Sequence, residues 1–124
     1  MDVIRTVTVT LPLVLSDIIA SLVEDRARLN IVARLRNRSE IAARFPVLAP
    51  DLILIGLRVG ESDAVAAAAL ALVPSARVVA LSFDGRDAYV HEAHAGRAAL
   101  LDVSPAALVD VIVASRRSAL APRA

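Results

Sequence analysis

No cysteine occurs in this chain of 124 residues, which excludes disulfides, thiolate metal sites and cysteine nucleophiles. Lysine is absent as well, so all 14 basic side chains are arginine. Schiff-base chemistry and every role that needs an ammonium group go with it. Aromatic residues make up 2% of the chain, too few to build a stacking platform for single-stranded nucleic acid. Two histidines form no zinc site unless carboxylates complete it. A formal net charge of +1 gives no electrostatic hold on DNA or on an acidic membrane. No apolar run reaches transmembrane length, and Met1-Asp2-Val3-Ile4-Arg5 lacks the basic-then-apolar order of a secretion signal. The expectation is a cytoplasmic protein with no cofactor, no metal, no membrane contact and no direct nucleic-acid binding.

What is there is aliphatic. Hydrophobic residues account for 57% of the chain, enough for one domain with a substantial core and too short a chain for two. The expected organisation is a single domain over residues 1–117 and a flexible tail over 118–124. The stretch Pro50-Asp51-Leu52-Ile53-Leu54-Ile55-Gly56-Leu57 organises the rest. Its unbroken aliphatics, preceded by Pro-Asp and interrupted by Gly, read as a strand buried on both faces in the middle of a parallel sheet.

Around it the pattern alternates. Arg5–Thr10 reads as a β-branched first strand, and Pro12 fits the first turn of a helix over Leu13–Arg28. In that helix the rows Val14/Ile18/Leu22 and Leu15/Ile19/Val23 predict one wide buried face. Asn30–Leu35 reads as a second strand. Ser39 caps a short helix with Ile41, Phe45 and Leu48 on its inner face, and Pro46 predicts a kink or an end near Arg44. Ser62 caps an alanine-rich third helix to Val73, and Arg77–Ser82 is a further buried strand. Asp84-Gly85 is turn chemistry; after it a fourth helix is expected over Arg86–Ala95, stopped by Gly96, then a last strand over Ala98–Val103. Ser104-Pro105 opens a fifth helix with Leu108, Val111, Ile112 and Ser115 inward. Five strands alternating with five helices predict an α/β fold: a flavodoxin-like, doubly wound five-stranded parallel sheet in the order 2-1-3-4-5, helices on both faces. Ligand chemistry would then sit where strands end, around Thr10, Gly56 and Ser82.

These segments carry a resemblance. Pro50-Asp51-Leu52-Ile53-Leu54-Ile55-Gly56-Leu57-Arg58 resembles the third strand of response-regulator receiver domains, which usually reads Pro-Asp-Leu-Val-Leu-Leu-Asp. Val78–Ser82 is similar to their fourth strand, His91–Gly96 to their fourth helix, and Asp102-Val103-Ser104-Pro105 with Leu108 to the start of their fifth helix. The likeness runs from about Arg5 to Ala114 and is closest to receivers of helix-turn-helix regulators. It implies a phosphorylation pocket at Thr10, Leu11, Gly56, Ser82, Leu101 and Asp102, and that pocket is degenerate. The acidic pair that holds Mg²⁺ is replaced by Val9-Thr10-Leu11-Pro12, the acceptor aspartate by Gly56, and the lysine falls near Leu101 or Asp102. Of that set only Ser82 remains. Aspartyl phosphorylation needs a carboxylate nucleophile, carboxylate-bound Mg²⁺ and cationic help for the phosphoryl group. The expectation is a pseudo-receiver, not an enzyme, in which Gly56→Asp alone restores nothing.

Other side chains carry competing readings. Asp51 as a relocated acceptor competes with a strand-start residue at the far end of the sheet, and Glu61 with Asp63 as a weak cation site competes with a solvated loop. Ser82 is read as a hydrogen-bonding remnant, not a nucleophile, because no base accompanies it. His91 and His94, three apart on the expected fourth helix, are weighed as metal ligands, as a pH-sensitive surface and as neither. Arg116-Arg117 reads as cations at a helix C-terminus. The resemblance further implies an interface on the fourth helix, fifth strand and fifth helix, here Tyr89, Val90, Ala93, Arg97, Leu108, Val109 and Val113. The expected function is a phosphorylation-independent module in bacterial signal transduction or transcriptional control, acting by protein contact. Its expected partners are a second copy of itself and a regulatory protein or a fused effector domain. The alternative is a small-molecule-binding domain using the crevice at the strand carboxyl ends.

Overall fold

The computed structural model describes residues 2–24, 27–36, 40–57, 64–83, 87–92, 96–99, 107 and 109–113. The chain is an α/β protein built on one mostly parallel sheet. The elements run β1 (Asp2–Val9), α1 (Leu13–Val23), β2 (Ala27–Leu35), α2 (Glu40–Leu48), β3 (Leu52–Leu57), α3 (Ala64–Leu72), β4 (Arg77–Ser82), β5 (Ala88–Glu92) and β6 (Gly96–Ala99). Residues 107 and 109–113 are helical.

The aliphatic stretch expected at the centre is there. All six residues of β3 are buried, and β3 pairs in parallel with β1 on one side and β4 on the other. Such a strand has helices over both faces, which is why it lacks polar alternation. On one face α2 and α3 press Phe45, Ala66 and Ala69 against Val7, Val9, Ile53, Ile55 and Val78. On the other, α1 and residues 109–113 bring Ile19, Val23, Val109, Ile112 and Val113 onto Ile4, Leu52, Leu54 and Val79. The alanines of α3 favour helix intrinsically and, being small, let its axis approach the sheet closely.

The sheet order is β2-β1-β3-β4-β5-β6. Its first four strands are parallel, but β5 is antiparallel to β4 and β6 is antiparallel to β5. This corrects the expected fourth helix and the all-parallel five-stranded sheet. Residues 88–92, read above as helix, form β5. The last strand among the described residues is Gly96–Ala99, which begins two residues before the expected Ala98–Val103; residues 100–103 lie outside the described residues. The reason is local. Asp84-Gly85 lies in the connection of a β4–β5 hairpin, whose register pairs Leu81 with Ala88 and Ala80 with Tyr89. An Asp-Gly pair between β-forming segments is a strong hairpin signal.

Three boundaries also differ. Helix α1 ends at Val23 and β2 begins at Ala27, so Ala27–Asn30 extend the sheet instead of the helix. Helix α2 continues through Pro46 to Leu48, and the Ala49 N–H still donates to the Phe45 carbonyl at 3.0 Å. The wide buried face predicted for α1 is half exposed: Ile19 and Val23 are buried, whereas Val14 is 69% and Ile18 49% exposed. Among the described residues no helix is long and apolar enough to cross a membrane.

A bulge in β2 has consequences for everything at that edge. Thr6 pairs with Ile31 but Val7 pairs with Ala33, leaving Val32 as the extra residue. Before it, Leu29 packs into the α1-side core; after it, Ala33 and Leu35 pack into the opposite core. A bulge adds one residue to a period of two, so it exchanges the faces of everything beyond it. Arg34 and Arg36 therefore lie on the α1 face.

Candidate functional site

The carboxyl end of β3, where the expected pocket lay, is closed. A Cβ at Gly56 would stand 2.5 Å from the Thr10 carbonyl oxygen, 2.7 Å from Phe83 Cε1 and 3.2 Å from Leu11 Cα. Glycine at this position is a packing requirement: the β1–α1 turn and the Phe83 ring occupy the space a side chain would need. Thr10 makes the turn with a φ of 50°, a conformation rare for a β-branched residue. Two hydrogen bonds hold it there: its N–H donates to Leu35 O at 2.9 Å and its Oγ1 donates to Gly56 O at 2.9 Å. Thr10, Leu11 and Gly56 are thus brought together as the likeness implied, but as a packed junction and not as an open crevice. Leu101 and Asp102 lie outside the described residues.

Ser82 closes the β4–β5 hairpin. Its Oγ donates to the Asp87 carbonyl at 3.2 Å and accepts from the Asp87 N–H at 3.0 Å, while its own N–H donates to the same carbonyl at 2.9 Å. That is the hydrogen-bonding role expected of it. Asp51 also holds a strand start: its N–H donates to Arg5 O at 2.8 Å and its Oδ2 accepts from the Arg5 N–H at 3.1 Å. It sits at the amino end of β3, far from Gly56. His91 is buried on β5 and not on the expected fourth helix. His94, Glu61, Asp63, Arg116 and Arg117 are outside the described residues. Among the described residues no three His, Cys, Asp or Glu side chains gather as a metal site.

The implied interface fares unevenly. Val109 and Val113 are buried in the α1-side core together with the expected Ile112, and the expected Val111 packs partly against it; Ser115 lies outside the described residues. Both valine side chains, 109 and 113, pack toward the sheet. Tyr89 and Val90 are half-buried on β5, and Tyr89 packs against the α2/α3-side core. Arg97 lies on β6 by its backbone; Ala93 and Leu108 are outside the described residues. Uncovered apolar surface is instead on α1, where Leu13, Val14, Ile18 and Leu22 are exposed at 59, 69, 49 and 37%.

An open concavity among the described residues lies one strand away from the expected crevice. A cleft of about 430 Å³ is lined by Thr8, Thr10, Leu11, Pro12, Leu13, Arg34, Leu35 and Arg36. It lies at the carboxyl ends of β1 and β2, beside the start of α1. Register places Thr8 opposite Arg34. The Arg34 guanidinium donates to the buried Ser16 Oγ at 2.6 Å, and that hydroxyl donates to Leu13 O at 3.0 Å. Sequence reasoning missed Thr8, Arg34 and Arg36, because alternation counted along β2 without the bulge sends the arginines to the other face. The signal present was a strand running through Thr10-Leu11-Pro12 straight into a helix.

No family model matches the chain, and comparison with curated proteins and with solved structures found no match either.

Proposed function

We propose that this chain is a non-catalytic regulatory module, a receiver-like variant of the flavodoxin-like arrangement that works without phosphoryl transfer and by contact with a second copy of itself. One observation carries the reading: the position aligned with an acceptor aspartate has no room for any side chain, with the Thr10 carbonyl 2.5 Å from where a Cβ would be. A domain of this layout with that junction packed shut has no phosphorylation switch to throw. Its conformation is then set by what it binds, because an input acts only by binding one state better than another.

The α1 surface supports the contact. Val14, Ile18 and Leu22 recur every four residues along one side of the helix and are exposed, with Asp17, Ser21 and Glu24 exposed around them. A charge-free row of this kind is self-complementary under a two-fold axis, so a second copy supplies the matching surface without any dedicated partner. Two measurements test the proposal. Incubating the native chain with Mg²⁺ and acetyl phosphate is expected to leave its intact mass unchanged; a phosphoryl adduct sinks the phosphorylation-independent reading. Sedimentation over a concentration series is expected to show a dimer that Ile18→Asp dissociates. A native chain that stays monomeric at its highest soluble concentration refutes self-association.

A further inference from the structure

The geometry points to the cleft between β1, β2 and α1 as a binding site for a small phosphate monoester, the phosphate against the arginines and a neutral body against the leucines. Four observations converge. First, Arg34 and Arg36 both line the cleft, and no carboxylate does. Among the described residues neither guanidinium has an ion pair: Arg34 bonds only Ser16, and for Arg36 the one bond is from its backbone N–H to Glu40 Oε2 at 3.2 Å. Two unpaired guanidinium forks on one wall match the oxygens of a phosphate better than any other common ligand group.

Second, Thr8 is 2% exposed and lines the cleft, yet its hydroxyl has no hydrogen bond among the described residues. The hydroxyl is not sealed in the interior but keeps contact with the cleft, so it is available there as a donor. A phosphate oxygen in the cleft is an acceptor for it. Third, the 11-residue helix α1 begins at the rim. Its preceding residue, Pro12, provides no side-chain cap, so the first-turn N–H groups of Leu13, Val14 and Leu15 have no partner from the cap. Those donors and the positive end of the helix favour an anion. Fourth, the cleft volume of about 430 Å³ falls within the ~300–1,000 Å³ of small-molecule pockets. Leu11, Pro12, Leu13 and Leu35 form its apolar part. No aromatic side chain lines it, which disfavours a stacked nucleobase as the neutral body.

The Ser16–Arg34 bond fixes one arginine in advance, so α1 and β2 are already joined across the site. This inference deepens the regulatory reading by giving it a ligand input, but it does not need the dimer. The titration below reads the cleft alone, and sedimentation reads the α1 row alone.

The test uses the full chain labelled with ¹⁵N, titrated with inorganic phosphate and with glycerol 3-phosphate at constant ionic strength. The expected result is saturable amide shifts at Leu13–Ser16 and Arg34–Arg36, with the ester binding more tightly than the free ion. Arg34→Gln and Arg36→Gln should each weaken binding about tenfold. Thr8→Val is the sharper variant: it keeps the side chain's size and β-branching and removes only a hydroxyl that holds no protein group, so it should leave the ligand-free fold about as stable while weakening phosphate binding. Shifts that rise linearly without saturating, or that are the same in all three variants, overturn the site. Tighter binding of the free ion than of the ester overturns the monoester assignment.

Discussion

Gly56→Ala is expected to destabilise this protein although alanine suits a strand better than glycine. In an unobstructed strand the change gains about 0.5–1 kcal/mol, because glycine has more conformational freedom to lose on folding. Here the new methyl would meet Thr10 O at 2.5 Å and Phe83 Cε1 at 2.7 Å. The two obstacles are unequal. Phe83 is 42% exposed, and its ring can swing toward solvent. The Thr10 carbonyl belongs to a backbone fixed by the bonds from Thr10 N–H to Leu35 O and from Thr10 Oγ1 to Gly56 O, each 2.9 Å. Overpacking of a fitted interior costs about 1–3 kcal/mol, and the immovable carbonyl puts this site toward the upper end. Set against the entropic gain, the net loss is about 1–2 kcal/mol, or roughly 3–10 °C in Tm for a domain of this size. Urea denaturation of Gly56→Ala, Phe83→Ala and the double variant measures it as a cycle. The double variant should recover only a minor part of the loss, because the carbonyl remains. A Gly56→Ala protein as stable as its parent would refute the closed junction; full recovery in the double variant would assign the obstruction to the ring alone.

The remaining predictions concern the frame around that junction. Ala49, exposed and just past the end of α2, has a φ of 44°, where a Cβ costs roughly 1 kcal/mol or more. Ala49→Gly should therefore raise stability by about 0.5–1 kcal/mol in thermal unfolding, the reverse of glycine's usual effect; a loss would contradict the left-handed conformation. Arg77 joins three elements, pairing Glu92 through Nη2 at 2.5 Å and donating from Nη1 to Val111 O at 2.9 Å. With its side chain 13% exposed, Arg77→Met should cost about 1–3 kcal/mol by leaving the partners of a partly buried charge unsatisfied, while Glu92→Gln costs less. Equal stability of Arg77→Met and the parent, measured by urea titration, would show that the pair contributes nothing.

Much of the scaffold was legible because burial is written into residue type. A strand of continuous aliphatics such as Leu52–Ile55 has one stable location, between two helical layers, and the parallel order of β1–β4 follows from short alternating elements. Pro-Asp before β3 marked its amino end, and the small polar Ser82 marked the end of β4. Ala88–Glu92 was misread because five residues with one alanine and one acid satisfy helix and strand patterns about equally; what decides it is antiparallel pairing with β4. The α1 rows show the complementary error. Spacing reveals which residues share a face, but not how wide a strip the sheet can cover, and here it covers Ile19 and Val23 while Val14 and Ile18 remain outside.

The sequence by itself determined the chemical limits of this protein: an aliphatic core, arginine as its only basic side chain apart from histidine, and no cysteine or lysine. Those follow from composition and from the lack of a functional group, which no folding can supply. Only the tertiary structure decided where a ligand can go. The Thr10 turn and the Phe83 ring fill the space beside Gly56, and one extra residue at Val32 carries Arg34 and Arg36 across to the α1 face. Both outcomes depend on how distant segments meet. A bulge is defined by the partner strand, and the closed junction by a carbonyl and a ring from segments distant in sequence.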